Sequence, residues 1–165
     1  MQLPVTIYKH WIGYVAIFLT GLLVMALVYW GLLQSIQSPW ADPMIMFTFA
    51  VVIMGLVTVV VIERILVYSF ASLTLTEDGI TAINYSTLFA KKDSTTEWFR
   101  VQDVSVVTGS IFNLVFKFGT LNIQTAGTTQ AIRMTMVPNV EYWQAIVSQL
   151  ADQATDVQKV QLSTP

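Results

Sequence analysis

A long uncharged segment near the start of the chain restricts the possible folds more than any other feature. From Trp11 to Ala41 there is no Asp, Glu, Lys or Arg, and the most apolar part, residues 11–33, is 23 residues long. As a helix it would span about 34 Å at about 1.5 Å per residue, against about 30 Å for the hydrocarbon core of a bilayer. It also exceeds the apolar region of a signal peptide, about 7–15 residues. This segment therefore predicts a transmembrane helix.

A second apolar segment follows a short connection. Residues 44–62 contain no charge over 19 residues, and the apolar character resumes after Glu63 and Arg64 up to about residue 68. A strand rarely exceeds about eight residues, so the length predicts a second helix. The connection, residues 34–43, contains two prolines that break both helices. Residues 1–70 are therefore predicted to form a transmembrane helical hairpin, with helices over about 11–33 and 44–68. Small residues suited to close packing within the hairpin are Ala16, Thr20, Thr48, Gly55 and Thr58.

The basic residues around these segments predict their orientation. Lys9 and His10 precede the first helix, Arg64 follows the uncharged part of the second, and the connection carries only Asp42. Because Lys and Arg are enriched on the cytoplasmic side of a membrane, both termini are predicted in the cytoplasm. We therefore expect a multi-pass protein of the inner (plasma) membrane, with residues after 70 on the cytoplasmic face.

The composition agrees with membrane insertion and excludes several functions. The chain of 165 residues is 55% hydrophobic and 11% charged, whereas soluble chains are about 25% charged. A domain of this size cannot bury so much apolar surface in its own core. The absence of Cys and the single His exclude thiolate catalysis, cysteine zinc sites and two-histidine metal sites. A net charge of −2 argues against nucleic-acid binding.

After residue 70 the pattern changes to short segments in which apolar and polar residues alternate, as is typical of strands. Strands are predicted over residues 72–76, 80–85, 96–107, 120–125 and 131–137, with a turn at 77–79, a polar break at 91–94 and a turn at 126–128. Asn139 can cap a helix that runs to about Ala154 and carries Trp143 in its apolar stripe. Residues 71–154 are therefore predicted to form a cytoplasmic α+β domain of six or seven antiparallel strands, and the fragment 71–165 is expected to fold alone. Residues 155–165 would form a loose polar tail.

This domain resembles the bacterial pleckstrin-homology-like (PH-like) domain family. The resemblance rests on LTLTEDGI at 73–80, VQDVSVV at 101–107, SIFNLVFKFGTLNIQTAG at 110–127 and IRMTMVPNVEYWQAI at 132–146. The first of these is similar to the family's first two strands, and two preceding helices are similar to its membrane-anchored arrangement. The resemblance implies a barrel of antiparallel strands, built from two packed sheets and closed at one end by the C-terminal helix. It also implies a domain that binds ligands, lipids or other proteins.

No set of residues predicts catalysis or a cofactor. The His lies at the membrane, and neither a G-x-x-x-x-G-K-[ST] nor a G-x-G-x-x-G motif occurs. Phosphoinositide-binding members of this fold use basic residues around the first strand–strand loop. The loop assigned to that place, residues 77–79, is acidic, so specific phosphoinositide binding is disfavoured. Lys91 and Lys92 form a basic pair that could contact anionic headgroups or be solvated turn residues.

Residues 110–118, SIFNLVFKF, are the candidate interaction segment. Apolar residues occur on both faces of any regular element that the segment forms, so one face can enter the core while the other needs a partner or the bilayer surface. The possible contact residues are Ile111, Phe112, Leu114 and Phe116, together with Lys91 and Lys92. Burial of the whole segment in the core and in strand pairing is the competing interpretation.

Two functions follow from these features. The first is a non-enzymatic, membrane-anchored PH-like binding or scaffold module that docks a protein partner or self-associates on the cytoplasmic face. The second is an accessory subunit of a membrane transport or pore complex, in which the helices would be the functional part. Transport helices usually carry ionisable residues that face a path, whereas residues 11–33 and 44–62 carry only hydroxyl groups. The sequence therefore favours the binding module.

Overall fold

Two long apolar helices occupy most of the first seventy residues. The structure, a computed structural model, describes residues 3–37, 42–126 and 131–163. Helix α1 covers Ile12–Ile36, and helix α2 covers Pro43–Phe70. Both predicted helices are therefore present, each slightly longer than predicted, and each is long and apolar enough to cross a membrane.

Glycines of α1 allow the close approach of the two helices. The ring of Tyr68 occupies the space that a side chain at Gly13 would need, and a Cβ built on Gly21 would lie 2.6 Å from a methyl group of Val61. The small residues predicted to line this contact behave differently. Gly55 has nothing within 4 Å of its Cβ position, and the hydroxyls of three threonines donate to carbonyls of their own helices: Thr20, Thr48 and Thr58.

The first sheet has four antiparallel strands in the order β1-β2-β3-β4. The strands are β1 (Val5–Tyr8), β2 (Ser72–Leu75), β3 (Gly79–Thr87) and β4 (Ala90–Glu97). Strand β1 precedes α1 and β2 follows α2, yet the two strands pair, with Tyr8 opposite Ser72. The helical hairpin is therefore inserted between two paired strands of one sheet.

This insertion changes the organisation inferred from the sequence. Residues 1–10 group with residues 69–165 in one compact unit, and residues 11–68 form the other; the first is called the sheet unit below. The predicted boundary at residue 70 separates β1 from its sheet. Ile7 on β1 is only 3% exposed and belongs to the hydrophobic core, so residues 71–154 lack one strand of the domain. The segment at 73–80, predicted as the first two strands, forms the second and third.

The second sheet has three antiparallel strands in the order β5-β6-β7. They are β5 (Val101–Val107), β6 (Phe118–Thr125) and β7 (Ile132–Pro138). The short helix α3 (Ile111–Phe116) lies between β5 and β6. Helix α4 (Val140–Ser163) follows β7 and packs against β5, β6 and a 3-10 turn at Trp98–Arg100. Residues 127 and 128 of the predicted turn lie outside the described residues.

The sheets are separate in their strand pairing, which corrects the predicted closed barrel. Among the described strands, hydrogen-bonded pairing runs from β1 through β2 and β3 to β4 in one sheet, and from β5 through β6 to β7 in the other. The described strands of the two sheets do not form one continuous ring. The sheets approach at β1 and β7, where the His10 N–H donates to the Met136 carbonyl at 2.6 Å. Alternate residues of the strands fill the core together with α4, and its fully buried members are Leu73, Leu75, Ile80, Leu121, Ile123, Met134, Val137 and Val147.

Three segments differ from their predicted secondary structure. Residues 91–94, predicted as a polar break, lie within β4. The predicted strand 96–107 is interrupted by the 3-10 turn, where the buried Trp98 ring donates from Nε1 to the Thr76 carbonyl at 2.9 Å. Helix α4 continues to Ser163, so residues 155–163 are helical and do not form a loose tail.

The inserted hairpin leads to a stability prediction. A chain that joins residues 1–10 to residues 71–165 through a short Gly/Ser linker retains β1, whereas the fragment 71–165 exposes the edge of β2 and loses Ile7. We expect the joined chain to unfold in urea with a free energy higher by about 2–5 kcal/mol, the usual effect of one large core side chain. Circular dichroism measures the transition, and Ile7→Ala in the joined chain is the control. Equal stability of the two chains would show that β1 is dispensable.

Candidate interaction surface

The candidate interaction segment forms an exposed helix. The exposed fraction of its apolar side chains is 79% for Ile111, 69% for Phe112, 68% for Leu114 and 67% for Val115. Phe116 is less exposed, at 37%, and Phe118, the first residue of β6, is buried. The interpretation that the whole segment lies in the core is therefore wrong, because only its last residue does.

Local hydrogen bonds fix the ends of α3. The Ser110 hydroxyl accepts a hydrogen bond from the Asn113 N–H, a typical N-cap. At the other end Lys117 adopts a left-handed conformation with φ 51°. A helix of six residues is marginal in water without packing of an apolar face. The caps set the limits of α3, but burial of its side chains within the sheet unit contributes little to the stability of this helix.

Helix α3 lies at the end of the sheet unit to which the helical hairpin is joined. The His10 ring is 5.5 Å from the Phe118 ring, centroid to centroid, and His10 is two residues before α1 begins. Tyr8 and Ser72, which pair at the end of β1 and β2, lie at the same end. This end, with Phe118 and Pro138 of the second sheet, is called the attachment end. The opposite end, with residues 76–79, is called the far end.

Burial affects the charge of the residues that connect β1 to α1. Desolvation lowers the pKa of the Lys9 ammonium and of the His10 imidazole, because a less polar environment disfavours the charged forms. The lowered pKa favours the neutral form of the His10 imidazole. A neutral imidazole beside Phe118 fits the interfacial role that the sequence indicates for His10 better than a charged one.

The hairpin of β3 and β4 also projects at the attachment end. Ser72, the first residue of β2, pairs with Ile83, and β3 continues for four more residues to Thr87. At about 3.4 Å per residue, the hairpin extends about 14 Å beyond β2. Phe89, in its turn, is 97% exposed. The ring of Tyr85 contacts Phe70, the last residue of α2, at 5.6 Å between centroids.

The two candidate lysines lie on this hairpin but do not form one patch. Neighbouring residues of a strand point to opposite faces, so Lys91 and Lys92 diverge. The Lys91 ammonium lies 2.7 Å from the Asp93 carboxylate, and this hydrogen bond raises the pKa of Lys91. Both residues lie close to the β3–β4 turn, opposite Tyr85 and Asn84 of β3.

A cleft of about 630 Å³ opens beside α3. Its lining includes Leu114, Lys117, Phe118, Val140 and Tyr142. Within the described parts of the chain, no group of three His, Asp or Glu side chains could hold a metal ion. Two of the carboxylates in the strands are in surface ion pairs, Asp93 with Lys91 and Glu97 with Arg100. Among the described residues, this surface presents apolar side chains and the ammonium groups of lysines.

The family model for the bacterial PH domain matches residues 3–151. The chain belongs to the bacterial PH domain family. The match begins before β1 and therefore includes the helical hairpin as well as both sheets. It confirms the resemblance that the sequence indicated and supports a binding or scaffold module, because PH-like domains are generally non-catalytic; no enzyme family is indicated.

A solved structure is also similar to this bacterial PH domain protein. It is the crystal structure of a DUF1696 family protein with a pleckstrin-homology domain from Shewanella loihica PV-4. The two chains are 10% identical with a TM-score of 0.39, over 49% of this chain and 70% of that chain. The comparison with curated proteins finds no match.

The contrast between two phenylalanines predicts which part of the segment supports the fold. Phe112→Ser should change the free energy of unfolding by no more than about 0.5 kcal/mol, as is usual for an exposed position. Phe118→Ala should cost about 3–5 kcal/mol, because it leaves a cavity in the core. Chemical unfolding of the sheet unit in detergent, followed by Trp fluorescence, measures both. A large loss from Phe112→Ser would mean that α3 is part of the core.

Proposed function

We propose that this protein is a membrane-anchored, non-catalytic binding module whose sheet unit lies on the cytoplasmic face of the inner (plasma) membrane. One observation carries the proposal. The two long apolar helices connect paired strands of a PH-like domain, since Tyr8 pairs with Ser72. If the helices span a bilayer, both of their connections to the sheet unit are on the same side of it.

The exposure of the helices supports insertion. Only 11% of the most apolar window of α1 and 6% of that of α2 is buried within the protein, whereas a core helix of a soluble protein would be mostly buried. A cleavable signal sequence is also a poor explanation for α1. Cleavage after α1 would remove β1, and with it the buried Ile7. A bilayer is the environment that fits both helices.

The distribution of charge supports the cytoplasmic location of the sheet unit. Lys9 precedes α1, Arg64 lies in the last two turns of α2, and the connection between the helices contains no Lys or Arg. Under the positive-inside rule this bias favours a sheet unit in the cytoplasm and a connection outside.

Labelling of single cysteines tests this topology, because the natural chain has no Cys. In intact cells, a membrane-impermeant maleimide should label Asp42→Cys in the connection but not Asp78→Cys in the sheet unit. Asp78→Cys should react only after the membrane is permeabilised. The reverse pattern would invert the proposed orientation, and extraction of the protein by alkaline carbonate would contradict membrane insertion altogether.

The partner of the module is proposed to be a protein or a second copy of the chain. Addition of a partner's strand to the sheets is disfavoured at the two edge strands β4 and β5. The edge strand β4 carries Lys91, Lys92 and Asp93, charges that discourage strand addition. On β5 the Val104 carbonyl already accepts a hydrogen bond from Gln144 of α4 at 2.8 Å. We therefore expect side-chain contacts to mediate docking.

The alternative, an accessory subunit of a transport or pore complex, is less well supported. A transport path requires polar groups that can face a substrate or ion. The hydroxyls of Thr20, Ser35, Thr48 and Thr58 donate to carbonyls four residues earlier in their own helices.

Purification from native membranes tests the binding role. We expect the full-length protein in mild detergent to be isolated with a partner in stoichiometric amount or as an oligomer, as measured by light scattering and mass spectrometry. A monomer at high concentration, with no partner detected after chemical cross-linking in cells, would contradict the scaffold role.

A further inference from the structure

Among the described residues of the sheet unit, apolar side chains that are more than 65% exposed occur on two elements, and both elements are at the attachment end. One is α3, whose residues Ile111, Phe112, Leu114 and Val115 are each more than 65% exposed. The other is the β3–β4 turn with Phe89, which is 97% exposed. They belong to different sheets and are far apart in sequence. Their occurrence at the end where the chain joins both apolar helices calls for a common explanation.

We propose that α3 and the β3–β4 turn are membrane-contacting elements that insert into the interfacial region of the bilayer crossed by the helical hairpin. The inference rests on the proposed membrane anchoring and names the bilayer as the partner of the exposed apolar surface. It assigns Leu114, Phe112 and Phe89 to the boundary between headgroups and acyl chains.

Connection to the hairpin is the geometric basis of this assignment. His10 contacts Phe118 directly after α3, and Phe70 contacts Tyr85 on the β3–β4 hairpin. His10 and Phe70 are the residues at which the chain leaves the sheet unit for α1 and returns from α2. Each protruding element therefore lies close in space to a residue at which the chain leaves for an apolar helix or returns from one.

The chemistry of the protruding side chains fits an interface better than water. Aliphatic and aromatic side chains of interfacial helices lie at the boundary of headgroups and acyl chains. A helix as short as α3 also gains from such a surface, since its apolar side chains are not buried by the sheet unit.

The charges of the sheet unit are distributed in the same sense. The attachment end carries Lys9, Lys91, Lys92 and Lys117 against the carboxylates of Asp93 and Glu141. The far end carries Glu77, Asp78, Glu97 and Asp103 against Arg100. Anionic lipids attract a basic surface and repel an acidic one, so the attachment end is the end that suits a bilayer.

Single-cysteine fluorescence in vesicles tests the proposal. The full-length chain with Leu114→Cys or Phe89→Cys is labelled with an environment-sensitive dye and reconstituted into phosphatidylcholine–phosphatidylglycerol vesicles. We expect emission at shorter wavelength and strong quenching by a lipid that carries a nitroxide near the top of its acyl chain. The matched control, Asp78→Cys at the far end, should be quenched by aqueous iodide and not by the lipid.

The other outcomes separate the two proposals. A dye at Val24→Cys, within α1, reports insertion of the hairpin, so loss of its quenching by lipid would defeat the proposed anchoring itself. Quenching at Val24 combined with iodide access at Leu114 and Phe89 would overturn only the interfacial contact. Protection of Leu114 from both quenchers that disappears at one protein per vesicle would overturn it in favour of self-association.

Discussion

The pairing of β1 with β2 is the interaction on which the rest of the structure depends. These strands are separated by residues 9–71, yet Val5 lies opposite Leu75 and Tyr8 opposite Ser72. Paired strands are only about 5 Å apart, so both ends of the helical hairpin are fixed at one end of the sheet. The pairing also buries Ile7 beside Leu73 and Leu75. The same strand pairing therefore brings the two ends of the hairpin segment together and contributes to the stability of the core.

A consequence of this arrangement is that the sheet unit has two unlike ends. The far end has an acidic turn at 77–79, and the ends of β4 and β5 meet there around Trp98. The attachment end has exposed apolar residues on α3 and on the β3–β4 turn. On a domain of this size, an exposed apolar surface of this kind usually indicates contact with a partner or a membrane. The end with the exposed apolar residues is the end at which the chain leaves for α1 and returns from α2.

The sequence predicted the elements whose signals are local. The two helices follow from long apolar segments, and β2, β3, β6 and β7 follow from alternation bounded by turns. The pairing of β1 could not be predicted, because four residues, Val5–Tyr8, carry little pattern and their partner is more than sixty residues away. The residues at which the two helices approach closely could not be predicted either, because the contact depends on which residues face each other. Gly13 faces Tyr68, and Gly21 faces Val61.

The candidate surface was predictable in part, for a physical reason. An excess of apolar residues at 111–118 showed that one buried face could not hold them all, but the segment was compatible with a strand or a helix. The lysines at 91 and 92 were identified as a basic pair in a polar break, yet they lie on a strand and point apart. Phe89 was not identified, because a single apolar residue beside a turn is common on protein surfaces. Its significance comes from the pairing of Thr87 with Ala90, which places it at the tip of the hairpin.

The different burial of Phe112 and Phe118 separates the exposed helix α3 from the buried start of β6. Phe118 begins β6, packs beside His10 and is 8% exposed, whereas Phe112 is 69% exposed. Exposed apolar side chains in water stabilise neither the helix that carries them nor the sheets behind it. The proposed contact with the bilayer accounts for their presence on a capped helix at the attachment end. In the proposed anchoring, the covalent connections to α1 and α2 hold this end of the sheet unit close to the bilayer, so the contact requires no further protein.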